Sequence, residues 1–338
     1  MHSVVRASIA GAALAAALLA FVTTRAAAEP PEAVALLADF GFTPDEIAEV
    51  QAGKLVHGTL QPASERELVA ALAFQVQAPP AQLVEDAKAD LLDRVDPDTI
   101  AFAVVPGAGS LADFAKLTLQ PDAQKRAQAY LSAGPGGDLN LSAEEIASFA
   151  KLGSGAAPSA AEQQVRSALL ARLQAYRAQG LAGIAPYARP NGEQRSPGDE
   201  LRTASAAAKK LEAYAPAAYR LLAAYPEAMP TGTEESFRWS HFEAHGVPTI
   251  ALTHVLFVPD GEAWVVVQRQ FYVSAGYNAE QAVAAFLPVE AGTLVVYANR
   301  TSTDQVTGLG GGAKRSLGSK LLASQLEALF ERGRTSVK

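Results

Sequence analysis

The sequence predicts an α+β fold in which a curved antiparallel sheet is gripped by a long C-terminal helix and carries an alanine-rich helical insertion. Apolar residues alternate with others at 67–77 and in several stretches after 234, as is typical of strands. Alanine-rich stretches between them end at glycines and prolines, as is typical of helices. The amphipathic stretch 313–332 predicts the covering helix, because a curved sheet needs another element to bury its concave face.

The first 28 residues have the pattern of a secretory signal. Arg6 precedes an apolar run of about 14 residues at 9–22, and three alanines at 26–28 form a small-residue cleavage site. The run is shorter than the roughly 20 residues that span a bilayer, and Arg25 interrupts it. We therefore expect cleavage near Ala28 and a periplasmic or secreted protein, with a retained N-terminal anchor as the alternative.

Charge and cysteine content exclude several classes of function. Cleavage after Ala28 would leave 26 basic residues against 35 acidic ones, and this net negative charge disfavours nucleic acid and anionic lipid as partners. The absence of cysteine excludes thiol catalysis, thiolate metal sites and disulfides. A mature chain of about 310 residues buries enough apolar surface to fold without disulfides. We expect no transmembrane segment in the mature form.

Residues 29–109 form the N-terminal strand-bearing part. Thr43 followed by proline and two acidic residues predicts the start of a short helix. The strand predicted at 67–77 carries Leu72, Phe74 and Val76 on one face and passes through prolines into a helix predicted at 81–95. A second strand is predicted at 100–105.

Residues 110–232 are predicted to form a helical insertion or subdomain, and residues 233–338 the C-terminal sheet with its helix. The insertion has predicted helices at 121–131, 142–152, 160–179 and 198–225. The C-terminal part is rich in Val, Phe, Tyr, Trp and Thr, which predicts strands at 235–245, 249–259, 263–274 and 292–299. A Pro-Asp-Gly turn at 259–261 predicts a hairpin.

Two segments resemble the START-like, or helix-grip, superfamily. Residues 71–84, Ala-Leu-Ala-Phe-Gln-Val-Gln-Ala-Pro-Pro-Ala-Gln-Leu-Val, resemble its first strand running into a proline-started helix. Residues 294–300, Leu-Val-Val-Tyr-Ala-Asn-Arg, with the glycine loop and 314–332, resemble its last strand and gripping helix. The resemblance covers about 65–110 and 234–333, and the helices at 110–230 interrupt it. It implies an apolar cavity between sheet and helix that holds lipids, sterols or other hydrophobic molecules, although some members are cyclases.

The histidines are the first candidates for a polar site. His241, Glu243 and His245 alternate on one predicted strand, and His254 lies on the next. Side chains two apart on a strand are separated by nearly 7 Å, which is unfavourable for a shared metal. We therefore expect no metal and no cofactor, and regard these residues as a polar sheet face or, for His254 first, as a polar group in a pocket.

Motifs for catalysis or phosphate binding are incomplete. The glycine-rich stretch 308–314 lacks the Walker spacing, because Ala313 and Arg315 flank its lysine, and a hinge before the last helix is the preferred interpretation. The stretch beginning at Asp138 lacks the glycine and glutamate of a calcium loop. No G-x-S-x-G or H-E-x-x-H motif is present. No catalytic residue is assigned.

Aromatic side chains concentrate in the strand-rich last third, where they form either an ordinary core or the lining of a cavity. Alternation places Trp264 and Tyr272 on one face of a strand, and Arg269 and Phe271 on the other. Which face points inward stays open. The candidate ligand-binding residues are Trp239, His254, Trp264, Arg269, Phe271, Tyr272 and Tyr297.

Together these patterns predict an exported soluble protein that binds or carries a hydrophobic small molecule or lipid between the sheet and the C-terminal helix. One alternative is a secreted hydrolase or cyclase that uses the same cavity, with His254 as its acid or base. Another is a scaffold that binds a protein through the helical region.

Overall fold

The computed structural model of this chain describes residues 31–89, 96–227, 229–244 and 246–336. The expected signal at 1–28, the end of the helix predicted at 81–95, and His245 lie outside the described residues. In those ranges, no helix is both long enough and apolar enough to cross a membrane.

The described residues form one eight-stranded sheet in which neighbouring strands are antiparallel, with strand order β1-β2-β10-β9-β8-β7-β6-β3. Its strands are β1 Val56–Gly58, β2 Glu67–Val76, β3 Thr99–Val104, β6 Glu234–Ala244, β7 Val247–Asp260, β8 Ala263–Val273, β9 Ala279–Val289 and β10 Gly292–Ser302. A separate two-stranded ribbon contains β4 Tyr187–Ala188 and β5 Gln194–Arg195. The chain thus has the predicted α+β class with a large antiparallel sheet.

The six predicted strands are confirmed as β2, β3, β6, β7, β8 and β10, whereas β9 and the short strands β1, β4 and β5 were not predicted. Residues 279–289, Ala-Glu-Gln-Ala-Val-Ala-Ala-Phe-Leu-Pro-Val, contain mostly residues with low β-propensity. The segment is nevertheless a central strand, because β8 and β10 supply hydrogen-bonding partners on both of its sides. Tertiary pairing here overrides local preference.

Helices occupy the chain before and between the strands and at its end. They are α1 Pro31–Asp39, α2 Pro44–Gln51, α3 Pro80–Lys88, α4 Ala123–Leu131, α5 Ala143–Leu152, α6 Pro158–Gln179, α7 Pro197–Ala207, α8 Leu211–Tyr214, α9 Pro216–Ala224 and α10 Gly311–Ser336. Thr43 forms the expected N-terminal cap of α2, and Ser142, the first residue of the helix predicted at 142–152, caps α5; each lies in a capping box. The single helix predicted at 198–225 is instead three helices. The last break falls before Pro216, because proline restricts the residue before it to non-helical backbone.

Both faces of the sheet are buried. We call one the α10 face; it includes Leu72, Phe286 and Tyr297 and packs in one apolar cluster with residues of α3 and α10. We call the other the α6 face; it includes Trp239 and Val267 and packs in the larger cluster with residues of α1, α2 and the helices between β3 and β6. Successive strand residues therefore alternate between two different interiors.

The C-terminal helix α10 packs on the sheet through its second half. Leu322, Leu326, Leu329 and Phe330 are buried in the cluster of the α10 face. The Phe330 ring lies 5.7 Å from that of Phe74 and 5.2 Å from that of Tyr297, measured between centroids. Leu317 lies inside the predicted amphipathic stretch 313–332 but is 45 % exposed, so the buried stripe begins after it.

Candidate functional site

A continuous line of polar side chains crosses the α10 face over five neighbouring strands. The strand registers make each of them a direct cross-strand neighbour of the next. We call this line the polar row; its members, from β10 to β6, are Thr301, Glu280, Gln270, Thr253 and Arg238. None is more than 2 % exposed, and the same holds for Asn299, Gln268 and Ser240 beside the row. Polar side chains in this number are unusual on a buried sheet face.

Part of this polar row is internally hydrogen-bonded. The Thr301 hydroxyl lies 3.2 Å from Glu280 Oε2 and 2.9 Å from Asn299 Oδ1. Asn299 Nδ2 donates to the Tyr297 hydroxyl at 3.2 Å, and the Tyr277 hydroxyl donates to Gln270 Oε1. These bonds hold the β8–β10 end of the row in one arrangement.

Other buried atoms of the same region have no hydrogen-bond partner among the described residues. They are Glu280 Oε1, Gln270 Nε2, Ser240 Oγ, and both Nε2 and Oε1 of Gln268. A buried polar group without a partner destabilises a protein by about 1–3 kcal/mol. Native proteins therefore usually satisfy such groups with ordered water or a ligand. These atoms offer both donors and acceptors on one face of the sheet.

Glu280 has the most perturbed electrostatics of the polar row. Burial raises the pKa of its carboxyl to about 7. The hydrogen bond from the Thr301 hydroxyl opposes this shift, because it stabilises the ionised form. Near neutral pH this carboxyl therefore exchanges between a form that only accepts hydrogen bonds and a form that also donates one.

The polar row adjoins an apolar wall on the same face. Tyr297 lies two residues before Asn299 on β10, and its ring meets Phe330 of α10 at 5.2 Å and nearly perpendicular, with an interplanar angle of 78°. On α10, Gln325 shares a helix face with Leu322 and Leu329, and its buried Oε1 has no partner in the described part of the chain. Apolar and hydrogen-bonding surfaces thus meet between the sheet and α10.

The structure places the candidate residues from the sequence on both faces of the sheet. Trp264 and Tyr297 belong to the α10 face. The remaining five lie on the α6 face: Trp239, His254, Arg269, Phe271 and Tyr272. These two groups cannot line one cavity, because the sheet itself separates them.

Tyr272 departs from the alternation expected for its strand. A β-bulge changes the pairing of β8 with β7 between Gln270 and Tyr272, so both Phe271 and Tyr272 face the helices. There the Arg172 guanidinium lies over the Tyr272 ring at 4.3 Å, and the Phe271 ring stacks on that of Tyr176 at 4.1 Å. The prediction that Tyr272 shares a face with Trp264 is therefore wrong.

His254 belongs to a fully connected polar network on the α6 face. Arg269 Nη1 donates to the Tyr176 hydroxyl at 3.1 Å, and that hydroxyl lies 3.0 Å from His254 Nδ1. His254 Nε2 lies 3.1 Å from Glu235 Oε2, and burial lowers the pKa of the imidazole to about 4. A neutral imidazole with its Nε2 proton donated to Glu235 satisfies both bonds.

Arg269 and Trp239 make equally complete contacts. Arg269 Nη2 donates to the Leu222 carbonyl at 2.7 Å and to Gln281 Oε1 at 2.8 Å, and Trp239 Nε1 donates to the Asp113 carbonyl at 2.9 Å. The contacts with Leu222 and Asp113 join the sheet to the helical segment between β3 and β6, whereas the contact with Gln281 joins β8 to β9. The network therefore attaches those helices to the sheet and presents no free polar group to a ligand.

The other histidine candidates are dispersed. His241 is buried, with its Nε2 2.8 Å from Arg126 Nη1, and Glu243 on the same strand is exposed. Burial lowers the pKa of His241 to about 4. Among the described residues, no three histidine, aspartate or glutamate side chains are grouped for a metal ion.

The sequence contained a signal for the polar row that the analysis above did not use. Gln268 and Gln270 occupy alternate positions of the valine-rich strand β8, and Asn299 and Thr301 occupy alternate positions of β10, so each polar pair shares one face of its strand. Such polar positions inside an apolar strand are candidates for an internal site. Glu280 gave no comparable signal, because β9 was not predicted.

Comparisons with protein-family models, with curated proteins and with solved structures give no match to this chain.

Proposed function

We propose that this chain is an exported START-like protein that binds an amphiphilic small molecule or lipid between a curved sheet and the gripping helix α10. The order of elements supports the proposal. Strand β2 runs into the proline-started α3, and β10 is followed by α10, as the resemblance implies. Because β2 and β10 are neighbours, the two resembling segments meet in space although they are far apart in sequence.

The alanine-rich helices between β3 and β6 then form an insertion that covers the opposite face of the sheet. Their contacts through Tyr176, Arg269 and Leu222 support this assignment. They leave the α10 face to the ligand.

The observation that carries the proposal is the set of unpartnered atoms in and beside the polar row. A purely apolar ligand would leave Gln268 and Glu280 unsatisfied in a buried site, at about 1–3 kcal/mol for each group. A ligand with a hydrogen-bonding head group satisfies them, while its apolar body contacts rings such as Tyr297 and Phe330. The ligand is therefore an amphiphile, and its head group forms hydrogen bonds with side chains of β8 and β9.

His254 and Arg269, two of the candidate ligand-binding residues from the sequence, do not contact the head group in this proposal. Their polar atoms are already paired on the α6 face. For the same reason, nothing in the geometry favours a hydrolase or cyclase that uses His254.

Native mass spectrometry of protein purified from its natural host tests the proposal. We expect an additional mass that is lost on denaturation and that belongs to an amphiphile. Gln268→Leu removes a donor and an acceptor, and each hydrogen bond contributes about 1 kcal/mol, so we expect the affinity for the ligand to fall about thirtyfold. Gln163→Leu is the matched control, because Gln163 is exposed on α6.

Two outcomes would contradict the proposal. One is folded protein from the host that carries no additional mass and takes up none from a lipid extract of that host. The other is a bound amphiphile that Gln268→Leu and Gln163→Leu retain equally.

A further inference from the structure

A cleft of about 960 Å³ lies at one end of the sheet, where the β7–β8 turn, the β9–β10 turn and the connection between β2 and α3 come together. Its volume is within the range of small-molecule binding sites. We call it the Trp264 cleft. Its wall is mostly apolar and includes the side chains of Trp264, Pro79, Pro80, Pro288 and Val289.

The Trp264 cleft is separate from the polar row. No residue of the polar row is part of its wall. Trp264 precedes Gln268 by four residues and Gln270 by six on β8, so at about 3.3 Å per residue the cleft lies roughly 13–20 Å from these glutamines. A ligand in this cleft therefore goes beyond the function proposed above.

The charged side chains in the wall of the Trp264 cleft are two carboxylates, Glu262 and Glu290, and no basic residue belongs to this wall. Both glutamates are exposed, and neither forms an ion pair within the part of the chain that the structure describes. The cleft thus combines an apolar surface with negative charge that the protein leaves unbalanced.

The nearest basic group does not balance these carboxylates. Lys88 Nζ lies 5.9 Å from the centroid of the Trp264 ring, but it pairs with Glu234 at 2.8 Å and with Glu85 at 2.9 Å. One ammonium group therefore already faces two carboxylates of its own. Its surroundings add to the negative potential at this end of the sheet.

Trp264 differs from the other tryptophan of the chain in its exposure. Trp239 is fully buried in the α6 face, whereas Trp264 is only partly buried and borders the cleft. An indole ring offers a large, rigid contact surface, and its face attracts cations more strongly than the rings of phenylalanine and tyrosine do. A cationic ligand with an apolar body can use both properties.

We propose that the Trp264 cleft binds a small organic cation with an apolar body. The carboxylates of Glu262 and Glu290 attract its charge, and Trp264 and the proline rings contact its apolar part. An anion of the same shape is repelled by the two carboxylates. A small cation without an apolar body leaves the apolar wall in water and gains only the weak attraction between exposed charges.

Isothermal titration calorimetry with tetraphenylphosphonium tests this site. Tetraphenylborate has the same shape and the opposite charge, and tetramethylammonium has the charge without the large apolar body. We expect tetraphenylphosphonium to bind the wild-type protein at least about tenfold more tightly than either of the other two ions. An exposed ion pair changes affinity by up to about fivefold, so Glu262→Gln combined with Glu290→Gln should weaken tetraphenylphosphonium binding about tenfold.

Glu212→Gln is the matched control, because Glu212 is exposed on α8 and lies outside the cleft wall; it should bind tetraphenylphosphonium as the wild-type protein does. Tryptophan fluorescence locates the ligand, since the chain has two tryptophans and only Trp264 borders the cleft. Binding should change the emission of the wild-type protein, and Trp264→Phe should remove this change.

Four results would overturn the proposal. They are wild-type protein that binds no tetraphenylphosphonium, equally tight binding of tetraphenylborate or tetramethylammonium, equal binding by the wild-type protein and the double glutamine variant, and an emission change that persists in Trp264→Phe. All four variants change side chains that are exposed or only partly buried, so we expect them to fold.

Discussion

The buried carboxyl of Glu280 should make the stability of the protein decrease as the pH rises through the neutral range. Burial shifts its pKa from the ordinary value near 4.5 to about 7 in the folded chain. Between these values the folded state binds more protons than the unfolded state. The free energy of unfolding must then fall as pH rises, and it levels off above the folded-state pKa.

The size of the effect follows from the two pKa values. For a single carboxyl shifted from 4.5 to about 7, linkage predicts a loss of about 2–3 kcal/mol of stability between pH 5 and pH 8. The Glu280→Gln variant has a neutral side chain at both pH values, so its stability lacks this pH-dependent contribution. Its stability relative to the wild-type protein should therefore rise by about 2–3 kcal/mol from pH 5 to pH 8.

Urea unfolding of both proteins at pH 5, 6, 7 and 8 measures this difference. Comparison at each pH removes contributions from other groups, including Glu200, whose carboxyl pKa burial also raises to about 7. Glu212→Gln is the control, because Glu212 is exposed on α8 and should show a constant difference from wild type. A Glu280→Gln difference that does not change between pH 5 and pH 8 would refute the assignment of Glu280 as a buried carboxyl with a raised pKa.

Three further predictions concern other parts of the chain. Burial lowers the pKa of His254 to about 4, so the free energy of unfolding should fall as pH decreases from about 6.5 towards 4. In urea titrations, His254→Gln should remove about 2–3 kcal/mol of that pH dependence. An unchanged pH dependence of the unfolding free energy in His254→Gln would contradict a buried neutral imidazole. Phe330→Ala should lower the free energy of unfolding by about 3–5 kcal/mol, because the ring is buried against the sheet. Leu317→Ala, at the exposed start of α10, should change it by less than about 0.5 kcal/mol. Similar values for the two variants would show that α10 does not pack on the sheet. Intact mass and N-terminal sequencing of protein from its host should show a chain that begins after Ala28, and a retained N-terminus would disprove cleavage.

Much of the secondary structure was predictable because it depends on local sequence. The cap residues Thr43 and Ser142 marked helix starts, and alternation marked β2 and β8. Local signals failed at β9, where alanine and polar residues give little β-propensity and pairing on both sides decides the conformation.

The candidate site was predictable only in part. Aromatic residues correctly indicated a large apolar interior around the sheet, but they could not be divided between its two faces. Trp264 and Tyr297 proved to lie on one face and Trp239 on the other. The bulge at Phe271 also places Tyr272 on the α6 face. No local sequence pattern predicts this bulge, because its position depends on pairing with the neighbouring strand.

The sequence alone determined where most of the strands and helices form, with β9 as the main exception, because periodicity, caps and turn residues act over a few positions. Only the tertiary structure decided which side meets α10 and which meets α6, and that Glu280 and Gln270 stand beside each other in the polar row. The physical reason is that these contacts depend on pairing between segments as distant as β2 and β10, and alternation within one strand contains no information about its neighbour.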